Sequence, residues 1–259
     1  MARCCAWRPP INADTPEAAP PPRAAEETPP GVERARRVVA QATHNIYTFG
    51  EELAHGISHG IGAVLGIVAL CVMVVRSTLH GDVREVVASS IFGASLILMY
   101  TASTLFHSIP LQRTKHLFRI IDHCLIYVLI AGTYTPFTMI TLHGTAYGTA
   151  LFWFVWGLAA VGILFKVFTT GRFEALSLVV YLLMGWCGVV VARPLIHRLD
   201  DGGLWLLLAG GLAYTVGTLF YAWQRMRYHH AIWHGFVLLG SICHFLCVQL
   251  YVLPGAPGR

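Results

Sequence analysis

A chain of 259 residues that is 56% hydrophobic and only 12% charged, with mean hydropathy +0.61, is not an ordinary soluble domain, in which about 25% of residues carry charge. Its formal charge of +5 comes from sixteen arginines and two lysines, Lys115 and Lys166, set in short breaks between apolar runs. Dispersed in that way, the charge excludes a nucleic-acid footprint and reports membrane orientation instead.

The first 43 residues hold eight of the thirteen prolines and no apolar run. A segment of this composition cannot bury enough surface to offset its ordering entropy, so we expect a disordered cytoplasmic tail. It has no apolar core of the signal-peptide kind. Cys4 and Cys5 are thin grounds for a lipid anchor. The seven cysteines show no paired loop spacing, and no disulfide framework is expected.

Residues 44 to 259 read as one all-α membrane domain. Seven apolar runs follow, each near the roughly 20 residues that cross a bilayer: Ile57–Val75, Val86–Phe106, Ile120–Ile140, Tyr147–Phe168, Leu176–Val191, Leu204–Trp223 and Ala231–Leu253. The breaks between them are short, so any chemistry must sit on the helices. With the N-terminus cytoplasmic, that side carries Arg34, Arg36, Arg37, Arg113, Lys115, Arg119, Lys166, Arg172, Arg225 and Arg227. The other side carries Arg76, Arg84, Arg193, Arg198 and Arg259. The basic bias predicts N-terminus in and C-terminus out. A G-protein-coupled receptor would run the other way, and a retinal protein would need a lysine in the seventh span.

In that topology the second span ends on the cytoplasmic side with "STLFHS", placing Ser103 and His107 at i and i+4 on one face. The third span begins there with "RIIDHCLIY", which puts Asp122 about one turn into the helix. The seventh begins there with "HHAIWHG", where His230 and His234 are again i and i+4. Three imidazoles from two helices suit a tetrahedral zinc ion whose fourth position is left open. Ala231 stands where the usual metalloprotease helix carries a glutamate, so a general base must come from elsewhere, and Asp122 is the candidate. Ser103 is placed to bond a group beside the metal.

Plainer roles compete with these. A lone intramembrane histidine is usually a satisfied packing residue, and Asp122 at a helix N-terminus answers the helix dipole. Neither accounts for His107. His55 precedes and His59 opens the first span, on the cytoplasmic side; His59 reads either as a surface residue, the favoured reading, or as one approaching the cluster behind its ligands. His229 reads as interfacial, His123 as turned off the face of Asp122, and His244 as too deep to share the metal. Pro136 marks a kink, and Gly62 with Gly66 marks close helix packing.

The stretches "GEELAHGISHGIGAVLG", "STLFHS", "RIIDHCLIYVLIAGTYTP" and "HAIWHGFVLLGSICHF" resemble the hemolysin III proteins, the bacterial branch of the progestin and adipoQ receptor family. The resemblance covers about residues 48 to 253. It implies seven helices, a cytoplasmic N-terminus and zinc near the cytoplasmic face. His107, His230 and His234 would be its ligands, with Asp122 and Ser103 beside it. The wider superfamily includes alkaline ceramidases, which implies lipid-amide hydrolysis.

The expected protein is therefore a multi-pass protein of the cell membrane that binds zinc and hydrolyses a lipid amide or ester. Its expected partners are membrane lipid and the zinc ion, with neither nucleic acid nor another protein. A non-catalytic regulator of membrane state, clamped by zinc, is the main alternative. A pore-forming cytolysin is a weaker one, because the spans carry no run of polar residues for a conducting path.

Overall fold

A computed structural model describes residues 47–253. The disordered tail expected over residues 1 to 43, with Cys4, Cys5 and His44, lies outside the described residues. The described residues are helical, with no strand among them. Seven helices are long and apolar enough to cross a membrane: α1 (Phe49–His80), α2 (Val83–Ser108), α3 (Gln112–Thr141), α4 (Ala146–Thr169), α5 (Glu174–Ile196), α6 (Asp201–Ala222) and α7 (His229–Val252).

Two helices begin a full two turns earlier than their apolar runs suggest, and both shifts matter for the site. α1 starts at Phe49 rather than Ile57 because Thr48 and Glu51 form a capping box. The Thr48 hydroxyl accepts the Glu51 N–H at 3.3 Å and Glu51 Oε2 accepts the Thr48 N–H at 2.8 Å, satisfying donors that a helix start otherwise leaves orphaned. α3 starts at Gln112 rather than Ile120, since "RTKH" is polar yet perfectly able to form helix. Asp122 thus lies nearly three turns into α3, and not one.

α1 to α4 pack consecutively, α6 packs along α7, and α1 closes against α7. α1 turns in a narrow stripe of His55, His59, Gly62, Gly66, Ala69, Met73 and Ser77. Gly62 is needed there: a Cβ would meet the Tyr100 ring of α2 at 2.6 Å. Tyr100 in turn donates to Ser241 Oγ of α7 at 2.7 Å, and Tyr214 of α6 lies 2.8 Å from the same oxygen. One hydroxyl therefore ties three helices around the face that α1 presents. The remaining surface of α1, including Ile61, Val64 and Val68, is exposed and apolar, as a lipid-facing surface requires.

α3 runs through Pro136 and widens into a π turn over Phe137–Thr141, with the Leu142 N–H reaching the Phe137 carbonyl at 2.8 Å. α5 is broken as well, by a 3₁₀ stretch at Cys187–Val191. Tyr134 spans the break, donating to the Gly185 carbonyl at 2.5 Å and accepting the Gly188 N–H at 2.9 Å. Beyond such points α5 is loosely packed, touching α3 and α6 over short stretches.

Lys166, inside the apolar run Tyr147–Phe168, is fully buried within α4 and pairs with Glu174 Oε2 at 2.7 Å. Glu174 also lies 3.6 Å from Arg119 and accepts the Gly171 N–H at 3.0 Å. This pair stitches the end of α4 to the start of α5.

Candidate metal centre

His107 near the end of α2 and His230 and His234 at the start of α7 come together at one end of the bundle. All three are buried, and a ligating atom of each lies within 4.8 Å of the others. The i, i+4 spacing of the α7 pair puts both rings on one helix face, with ring centroids 4.6 Å apart. The left-handed residue Tyr228 precedes that helix, and its N–H is held by Glu51 Oε1 of α1 at 3.2 Å. The first turn of α1 thereby sets where α7 begins.

Proton positions follow from the partners. Glu52 is a carboxylate and can only accept, so His107 Nδ1, 2.7 Å from Glu52 Oε2, carries the proton. The Ser58 hydroxyl gives its single hydrogen to the His55 carbonyl at 2.9 Å, so it accepts from His234 Nδ1 at 3.0 Å. In both rings Nε2 is then a bare lone pair. Both Nε2 atoms, together with His230 Nδ1, are buried and have no hydrogen-bond partner.

An unsatisfied buried polar atom costs about 1–3 kcal/mol, so chains do not normally gather them. Nine buried side-chain N or O atoms lack a partner among the described residues, and seven belong to His55, His59, His107, His230 and His234. Such a concentration fits a metal-binding role, and nitrogen donors oriented by second hydrogen bonds are the setting that divalent zinc or a similar borderline ion prefers.

Several neighbours differ from the sequence expectations. His55 and His59 are buried at 0% and 1% exposure rather than at the surface: the earlier start of α1 brings His55 into the helix, and both residues lie on its inward stripe. His59 stacks on His234, centroids 3.4 Å apart and planes at 10°. His55 packs edge-on against His107 and His230 at 4.7 and 4.8 Å. His229, at the start of α7, is buried among protein side chains, with Nδ1 3.2 Å from the Phe220 carbonyl. His123 does not turn away from Asp122, as its Nδ1 lies 3.5 Å from Asp122 Oδ2. Tyr47 packs edge-on over His55 at 4.7 Å. Burial pushes its phenol well above the ordinary range, so it covers the cluster as a neutral ring.

Glu52, Ser58, His55 and His59 are the participants that reading for apolar runs misses. Their signal is present as Thr48-x-x-Glu51, a capping box that extends α1 and brings Glu52, His55 and His59 to i, i+3 and i+7 of one helix face.

Asp122 and Ser103 are both buried, but neither belongs to the three-histidine group. Ser103 lies one turn before His107. Asp122 lines a cavity of about 570 Å³ whose wall also includes His59 and His230. From there the cavity runs between α3, α5 and α6 to Leu195 and Asp201 at the opposite end, walled mainly by apolar side chains. Tyr221 and Asp201 of α6 both line it, a separation of about 30 Å at 1.5 Å per residue. The loose packing of α5 is what leaves the space. His244 lines the same cavity away from the cluster, its Nε2 giving a hydrogen to the Leu207 carbonyl at 3.3 Å.

The family model described as "Haemolysin-III related" matches residues 47–245. The chain is 48% identical over 206 residues to "Hemolysin-3" of Bacillus cereus, covering 80% of this chain and 94% of that protein. It is likewise 48% identical over 206 residues to the "Hemolysin-3 homolog" of Bacillus subtilis, covering 80% and 96%. More distantly, it is 29% identical over 180 residues to "Monocyte to macrophage differentiation factor" of Homo sapiens, covering 67% and 74%.

Proposed function

Because this chain belongs to the Haemolysin-III related family, we propose that it is a multi-pass membrane zinc protein that hydrolyses a lipid amide or ester. The observation that carries this reading is that His230 belongs both to the metal-competent cluster and to the wall of the long apolar cavity. A lipid whose acyl chain lies in the cavity brings its carbonyl end to the histidines. The basic bias of the loops places that end at the cytoplasmic face.

His107, His230 and His234 would hold the ion, and zinc bound there supplies Lewis-acid activation of a carbonyl and of a water. The remaining work falls to the chain. Glu52 and Ser58 hold the proton on Nδ1 of His107 and His234, keeping Nε2 available. Asp122, on the cavity wall, acts as general base toward the attacking water. Ser103 orients a polar group beside His107. The apolar wall excludes bulk water from the acyl chain.

A second reading treats the same cluster as a clamp between α2 and α7 in a regulator without turnover, favoured by the burial of all three rings. Comparison of membrane lipids from cells carrying wild-type or His107→Ala protein separates the two. Hydrolysis predicts one lipid class accumulating in the variant together with loss of its cleavage product. An unchanged lipid profile, with metal lost from the variant, favours the clamp. A cytolytic pore would instead give conductance in liposomes, which a cavity walled mainly by apolar side chains does not favour.

A further inference from the structure

We propose that Glu52, His55 and His107 form a second divalent-cation position beside the three-histidine one, the two sharing His107. One ligating atom from each of these residues lies within 4.8 Å of the others. The inference deepens the metal reading above and rests on it.

His55 is the observation that demands it. The ring is fully buried, and neither of its nitrogens has a hydrogen-bond partner. A neutral imidazole placed only for packing leaves a donor and an acceptor unsatisfied at a cost of about 1–3 kcal/mol each. Although its centroid lies 4.7, 4.8 and 5.5 Å from those of His107, His230 and His234, His55 does not join their ligating group. It groups instead with the one carboxylate of the cluster. Two imidazoles and a carboxylate are a common ligand set for zinc.

On this proposal the two positions use opposite edges of the His107 ring. Nε2 is the unpartnered nitrogen and serves the three-histidine position, while Nδ1 lies 2.7 Å from Glu52 Oε2. Filling both positions uses both nitrogens, so the Nδ1 proton now shared with Glu52 is released to solvent as the second ion binds. That exchange, and the proximity of two dications, make the second position the weaker. Lys115 weakens it further, its ammonium 2.6 Å from Glu52 Oε1. Glu52 Oε2 remains available to an ion while Oε1 keeps Lys115.

The test is a titration of full-length, metal-stripped protein in detergent with zinc alone, reading bound metal by mass spectrometry at graded free concentrations. The expected curve has a tight and a weak phase and reaches about two ions per chain. His55→Asn should remove the weak phase and leave the tight one, while Glu52→Gln should remove the weak phase and also loosen the tight one, because Glu52 orients His107. His230→Ala should do the reverse. Lys115→Gln, a change at a partly exposed position, should make the weak phase several-fold tighter even if the buried variants misfold. A wild-type plateau of about one ion, two ions retained in both His55→Asn and Glu52→Gln, or an unaltered weak phase in Lys115→Gln overturns the proposal. Loss of the tight phase in His55→Asn also overturns it, by assigning His55 to the first position. Failure of the three-histidine reading is distinct: it appears as a tight phase that survives His230→Ala and His234→Ala.

Discussion

Glu52 on α1 accepts a hydrogen bond from His107 Nδ1 on α2 at 2.7 Å. That contact fixes the tautomer of the ring: with the proton on Nδ1, the buried Nε2 keeps a lone pair that no hydrogen bond uses. Ser58 does the same for His234. Both orienting groups come from α1, although on this reading α1 supplies no ligand to the three-histidine position.

Ser58→Ala removes an orienting acceptor without touching a ligand. Zinc affinity of the three-histidine position should fall by about 10-fold to 100-fold, with the number of tightly binding sites unchanged. Competition against a chromophoric chelator measures this directly. Equal affinity in the two proteins would mean that the Ser58 contact does not orient His234.

Asp122→Asn separates catalysis from metal holding. The variant should keep its zinc, because Asp122 lies outside the ligand group, while losing lipid turnover by about 10²-fold or more. Metal content and lipid composition read from the same membranes check both halves. Undiminished turnover would remove Asp122 from the role of base.

Gly211→Leu fills the cavity. A Cβ at Gly211, which lines the cavity, meets only the Trp186 ring, at 3.8 Å, so the larger side chain enters open space. Zinc content should stay at the wild-type level. Lipids co-purifying with the protein, identified by mass spectrometry, should shift to shorter acyl chains or disappear. An unaltered lipid profile would place the acyl chain elsewhere.

Glu174→Gln should destabilise more than Lys166→Met. The Lys166 side chain is fully buried against Glu174, whereas Glu174 is partly exposed and keeps Arg119 nearby. Stripping a buried charge of its partner costs about 3–5 kcal/mol, so the glutamine variant should show the lower thermal midpoint in detergent. The double variant should recover part of that loss. A midpoint for Glu174→Gln at or above that of Lys166→Met contradicts the burial argument.

The parts of the site that could be read from the chain are those governed by short-range spacing. His230 and His234 are four residues apart on a continuous apolar run, and His107 closes another run that ends on the same side. Three of the polar cluster's histidines could therefore be assembled from topology and helix pitch. His55 and Glu52 could not be assembled in that way, because the apolar run of the first span starts only at Ile57 while its helix starts at Phe49; His59 lies within the run, and only the packing of α1 shows that its face turns inward. The eight intervening residues mix Glu51, Glu52 and His55 with Phe49, Leu53 and Ala54, and so broken a pattern resembles a loop until the capping box is weighed. The same holds for α3, whose polar first turns made Asp122 look closer to the helix end than it is.

Sequence by itself determined that the chain crosses a membrane, roughly where its seven spans lie, and that two of them carry metal-competent residues at helical spacing. Those properties depend on composition and on 3.6-residue pitch, which are local. Only the tertiary structure decided which face of each helix points inward. In lipid the outer faces are as apolar as the inner ones, so hydrophobic periodicity does not distinguish them. The choice was made by contacts distant in the chain: Gly62 against Tyr100, Tyr100 and Tyr214 against Ser241, and Glu51 against the Tyr228 N–H. Those contacts turn the acid–histidine face of α1 toward α2 and α7, and the loose fit of α5 opens the cavity on which the cluster borders.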